Sequence, residues 1–152
     1  VGVLIKGASG EGKSDLALRA IAVPLLLPNE ATPATPFQLI SDDQTVLTIT
    51  DGSLLASAPA TLSGMMEVRG IGIVGVEAAS AVPLLLVAEI TQGPIDRMPL
   101  APCTETALLG CKVESVQISP FEASTPIKLA LMLEAAALRL NDQRIAVPDG
   151  VV

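Results

Sequence analysis

The chain has 152 residues, half of them hydrophobic, with nine basic against sixteen acidic side chains, no histidine and a formal charge of −7. That length and apolar share suit one domain with a buried core and exclude intrinsic disorder. The acidic balance excludes a broad electrostatic grip on nucleic acid or an anionic membrane, and two Phe with no Trp or Tyr leave no row of rings for stacking a nucleic-acid strand.

Residues 1–6 form a β-branched-rich apolar run that ends in glycine, which predicts a buried strand. Residues 13–22 follow with Leu16, Ala17 and Ile21 on one side and Asp15 and Arg19 on the other, which predicts an amphipathic helix. Pro24 and Pro28 stop it, and residues 28–36, with three prolines, read as a surface loop. Strands are predicted at 38–41 and 46–50, then at 53–58 after an Asp51-Gly52 hairpin turn. Residues 67–76 alternate glycine with Val and Ile and read as a bent strand or glycine-rich corner. Residues 83–90 are a near-continuous apolar run, again a buried strand. Residues 93–110 read as loop, 113–118 as a further strand, 127–140 as a helix and 145–152 as a ragged tail. Too few helices lie in the middle for repeated βαβ units, so the expected class is α/β with a mixed sheet.

The apolar runs break before the roughly 20 residues of a spanning helix: 16–27 holds Arg19 and Pro24, and 78–87 holds Pro83. No signal peptide precedes the first motif, so a soluble cytoplasmic protein is expected. Cys103 and Cys111 fit no common zinc spacing and read as ordinary reduced thiols.

Gly7-Ala8-Ser9-Gly10-Glu11-Gly12-Lys13-Ser14 matches G-x-x-x-x-G-K-S at every fixed position, between a predicted strand and a predicted helix. Glycines let successive N–H groups curl around an anion, Lys13 brings positive charge to β- and γ-phosphates, the Ser14 hydroxyl suits Mg²⁺, and the helix points its positive end at the phosphates. The bland alternative is a glycine-rich turn capped by Ser14. The pattern points to nucleotide binding more firmly than to any use of the nucleotide.

Phosphoryl transfer also needs a carboxylate for the metal and often another to orient or deprotonate the nucleophile. Two predicted strands end in candidates, Asp42-Asp43 and Glu89. On a strand only one of the adjacent pair faces the phosphates, and a solvated turn explains the pair equally well. Glu89 suits the acid-tipped strand of a generic P-loop ATPase or a plain strand-edge carboxylate. The stretch 65–73 sets Glu67 and Arg69 one residue apart, on one face of a strand, before two permissive glycines. That spacing suits either a surface salt bridge or a metal carboxylate beside a phosphate-neutralising guanidinium.

Together the stretches 2–18, 41–45 and 66–73 resemble the catalytic domain of HPr kinase/phosphorylase, whose fold is related to that of PEP carboxykinase. The resemblance covers most of the chain, including 95–99 and the closing helix, and Glu-Val-Arg-Gly-Ile-Gly carries it more specifically than the phosphate loop. It implies a single P-loop kinase domain over 1–152 that transfers phosphate from ATP, with Mg²⁺, to a seryl group of an HPr-like carrier, and that can reverse the reaction. It implies further that Gly7, Ala8, Ser9, Gly10, Glu11, Gly12, Lys13 and Ser14 hold ATP. Ser14 and Glu67 would bind Mg²⁺, with Asp42, Lys13 and Arg69 catalytic and Asp42 the proton acceptor. A hexamer is implied as well. The family's catalytic histidine lies just upstream of the phosphate-loop strand, where this chain begins; it either precedes this stretch or its function is absent. Near 119–124 the family's dephosphorylation-linked arginine is missing, and the 22–36 connection is longer than the family's. The family's N-terminal domain is not within this stretch, which resembles the compact alphaproteobacterial form. Two other readings stand beside this one: a P-loop ATPase or small-molecule kinase with Glu89 as metal acid, and a nucleotide-binding regulator without catalysis.

Overall fold

A computed structural model describes residues 1–22, 37–99 and 103–145. The expected proline-rich loop at 28–36 and the tail beyond 145 lie outside the described residues. The strands are β1 (Gly2–Lys6), β2 (Val46–Thr50), β3 (Ser53–Ser57), β4 (Met65–Val68), β5 (Gly72–Gly75), β6 (Val82–Ile90), β7 (Thr104–Leu108) and β8 (Cys111–Ile118); the helices are α1 (Lys13–Ala22) and α2 (Thr125–Ile145).

Six strands make one sheet in the order β2-β3-β6-β8-β7, with β1 also paired to β6. Strands β1, β6 and β8 run parallel, while β2, β3 and β7 are antiparallel additions, so the sheet is mixed as expected. Strand β6 is the apolar spine, and it packs on both faces. Leu86 and Ala88 join Leu16 of α1, Val116 and Ile118 of β8, and Leu129 and Leu133 of α2 in one core. Leu84 and Val87 join Leu54, Ala56 and Val113 in a second core on the other face. Strict alternation would send Leu84 and Leu86 to the same side. The register skips one residue between Gly2↔Leu84 and Val3↔Leu86, so Leu85 is inserted and the parity of β6 reverses there.

Three expectations need correction. Residues 38–41 contribute a single parallel bridge, Leu39 to Ala78, in place of a strand. Ser41 turns its hydroxyl onto the Gln44 carbonyl, and this bends the chain away from any ladder. Residues 67–76 belong to a separate two-stranded hairpin, β4 with β5, in place of one bent strand. Arg69, Gly70 and Ile71 make its turn, with Gly70 and Gly72 at φ 83° and 111°, where a side chain is strained. Strand β7 lies inside the segment read as loop. Its two-residue turn places Leu109 and Gly110 at φ 50° and 81°, the geometry that Asp51 and Gly52 adopt between β2 and β3. Leu-Gly gives no recognisable turn signal, so this hairpin was hidden.

Both cysteines are free. Burial, reinforced by the Glu114 carboxylate, pushes the Cys103 thiol above its ordinary value. Among the described residues no helix is long and apolar enough to cross a membrane.

Candidate functional site

The phosphate loop joins the carboxyl end of β1 to the start of α1, the position where open α/β sheets bind ligands. Gly10 and Gly12 take φ 83° and 92°, so the two inner glycines of the motif adopt the conformations that most side chains resist. Glu11 braces the loop from inside: its Oε2 accepts the Ala8 N–H at 2.6 Å. Lys13 folds back over the same loop and donates to the carbonyls of Gly7 at 3.1 Å and Ala8 at 2.8 Å. The cation therefore sits on the loop at the mouth of the site.

Asp42 ties the site together. Its Oδ1 accepts the Ser14 hydroxyl at 2.8 Å, and its Oδ2 accepts the Glu67 backbone N–H at 3.0 Å. One carboxylate thus fixes the last residue of the phosphate loop to the β4–β5 hairpin across 28 and 25 positions of sequence. Because Ser14 gives its proton to Asp42, its oxygen lone pairs remain available to a cation.

A groove of about 460 Å³ runs over the loop. Ser9, Gly10, Gly12, Lys13 and Ser14 line its floor, and Asp43, Glu67 and Arg69 line it from the connecting chain and the hairpin. The geometry brings together the phosphate loop, Glu67 and Arg69, as their sequence positions led us to expect. The shared strand face is wrong in detail, since Arg69 lies in the turn one residue beyond β4. Neither Glu67 nor Arg69 takes part in an ion pair among the described residues, so the salt-bridge reading of this pair fails. Asp43, set aside in the sequence as a turn or supporting residue, lines the groove directly. The bend at 41–43 frees both aspartates from strand alternation.

Glu89, the penultimate residue of β6, lies beside Lys6 at the end of β1, paired in register and 3.6 Å apart across their charges. It does not line the groove. A residue missed in the sequence does: Phe121, on the connection from β8 to α2. No pattern flagged it, because the groove forms only when the ends of β1 and β8 come together.

Ser14 and Glu67 bring a hydroxyl and a carboxylate to the groove, hard oxygen donors that suit a divalent cation such as Mg²⁺. No three carboxylates or thiols cluster closely enough to hold a metal alone among the described residues.

A family profile described as HPr Serine kinase C-terminal domain matches residues 1–148. The chain belongs to that family. It is similar to the HPr kinase/phosphorylase of Clostridium perfringens (strain SM101), 29% identical over 157 residues covering 96% of this chain and 46% of that protein. It is also similar to that of Clostridium botulinum (strain Eklund 17B), 41% identical over 76 residues covering 50% of this chain and 21% of that protein. The chain therefore spans less than half the length of these relatives. The HPr(Ser) kinase/phosphatase from Coxiella burnetii superposes with a TM-score of 0.73 at 23% identity, covering 96% of this chain and 88% of that one, and so shares the fold.

Proposed function

We propose that this member of the HPr serine kinase C-terminal domain family is a protein-serine kinase. It would move the γ-phosphoryl group of Mg-ATP to a seryl hydroxyl of an HPr-like phosphocarrier. The observation that carries the reading is Asp42, whose two oxygens join the phosphate-loop Ser14 to Glu67 of the hairpin.

In this reading the amides of residues 7–14 and Lys13 hold the polyphosphate, and Ser14 and Glu67 hold Mg²⁺. Bound Mg²⁺ supplies neutralisation of the negative charge on the phosphates. Asp42 accepts the seryl proton as the new O–P bond forms and the bond to the leaving ADP oxygen breaks. Arg69 balances charge on the transferring group. Asp43, which lines the groove, is a neighbour able to share the proton role. The Lys6 pairing draws Glu89 away from the phosphates, which disfavours an ATPase built on it. Exposed Ile71 and Ile73 on the hairpin, 76% and 74% accessible, support assembly of several copies, the hexamer that the resemblance implies.

The test follows the γ-phosphate. Incubation with Mg-[γ-³²P]ATP and an HPr-type carrier is expected to label a carrier serine. Asp42→Asn should lower the transfer by roughly 10²–10⁴-fold, the usual worth of a positioned base, while ATP binding persists. Carrier-independent hydrolysis that survives Asp42→Asn and is lost in Glu89→Gln would overturn the assignment. A silent Asp42→Asn beside a dead Asp43→Asn would move the proton acceptor by one residue.

A further inference from the structure

Phe121 has no part in the phosphoryl chemistry above, yet it stands on the phosphate loop. A Cβ added to Gly12 would lie 2.9 Å from two of its ring carbons, so the ring rests directly on the loop backbone. It remains 66% accessible, in a chain with only two aromatic residues. The segment that carries it is clamped. Arg19 of α1 donates to the backbone carbonyls of Pro120 and Glu122, Thr125 Oγ1 donates to the Ser119 carbonyl at 2.6 Å, and Lys128 pairs with Glu122. Arg19 is itself held by Asp15 at 2.9 Å. Four polar contacts thus fix the segment that carries this solvent-facing ring, and a fifth orients Arg19.

The two ends of the groove have different chemistry. The hairpin, anchored through Asp42, brings Glu67 and Arg69, the charged groups that suit a metal and a transferring phosphoryl. At the second turn of α1 the lining is apolar, Leu18 and Phe121, and the one charge beside it is the acidic Asp15, held by Arg19, so nothing in the lining there draws a phosphate. A polyphosphate laid along the loop with its reacting end at the hairpin sends its other end toward that apolar lip.

We propose that Phe121 is the nucleoside-side wall of the site, a rigid ring against which the purine base of the nucleotide packs. A single ring cannot serve a nucleic-acid strand, which needs several, but it suits one base. This inference rests on the nucleotide-binding reading of the loop and adds what recognises the base.

Titration calorimetry with Mg-ATP and with magnesium tripolyphosphate, which lacks a base, separates the two. Phe121→Ala is expected to weaken Mg-ATP about tenfold, the scale of one base–aromatic stack, and to leave tripolyphosphate within about twofold. Phe121→Tyr should restore ATP affinity. Phe121→Trp adds the only tryptophan of the chain. Its fluorescence should quench with Mg-ATP and stay unchanged with tripolyphosphate. Equal losses for both ligands, no loss for either, or a tryptophan blind to the base would overturn the role of Phe121. If wild-type protein binds tripolyphosphate as tightly as ATP, the phosphate loop stands and the base wall falls. If it binds neither, both fall together.

Discussion

Lys13 and Asp42 make opposite uses of hydrogen bonding. Asp42 is already engaged, each oxygen accepting one donor, from Ser14 and from Glu67, and keeping a further lone pair for a proton. Lys13 is only parked, because carbonyl oxygens of Gly7 and Ala8 are weaker partners than phosphate oxygens. An arriving polyphosphate can take the ammonium from the carbonyls without leaving any buried group unpaired. Lys13→Ala is therefore expected to fold normally, with an unchanged melting temperature. Its Mg-ATP affinity should fall about ten- to a hundredfold, since hydrogen bonds to charged groups are worth about 1.5–3 kcal/mol. Unchanged affinity in an equilibrium binding measurement would remove the loop from the site. The loop motif was legible because its chemistry is local, whereas Phe121 was not, since its role comes from a contact across 109 positions with Gly12.

At the scale of elements the β4–β5 hairpin matters most, because it carries Glu67 and Arg69 yet belongs to no larger sheet. Its shape depends on its turn. Gly72 stands at φ 111° with open space around the missing Cβ, so Gly72→Ala meets no clash and suffers only backbone strain. That strain is about 1–3 kcal/mol, enough to loosen a hairpin that is held, beyond its own ladder, by the Asp42 link and the buried Met66. The expected result is faster hydrogen exchange at Met66 and Val74 and lower phosphoryl transfer, with little change in the main sheet. Equal exchange in variant and wild type would show that the turn tolerates a side chain there. The hairpin was half legible: its glycines were visible as permissive positions, but the chain reversal between them was read as a bend. Periodicity cannot distinguish one bent strand from two short paired ones when every other residue is glycine or β-branched.

Across the whole molecule, α2 is fastened to the sheet by a charged pair as well as by Leu129 and Leu133. Arg139 donates through Nε to Glu114 of β8 at 2.8 Å. That hydrogen bond holds the Glu114 carboxyl below its ordinary value of 4.5, with burial partly opposing it. A carboxyl depressed in the folded state adds stability above its unfolded value and loses it as pH falls through its native one. Arg139→Met should thus be less stable than wild type at pH 7, and the gap should close as pH drops below about 4.5. Urea midpoints at pH 7 and pH 3 check this. A gap that persists at pH 3 would mean that Arg139 acts through packing of its aliphatic stem.

Sequence alone determined the phosphate loop, helix α1, the apolar spine β6 and the mixed α/β class, because each depends on neighbours within a few residues: a glycine pattern, a 3.6-residue period, an unbroken apolar run. Only tertiary structure decided that Asp42 bridges Ser14 to the hairpin, that Asp43 reaches the groove, that Glu89 pairs with Lys6 instead, and that Phe121 lies on Gly12. These depend on which strand ends meet at one edge of the sheet. Side-chain partners tens of residues apart are chosen by that meeting, and no local period or spacing encodes it.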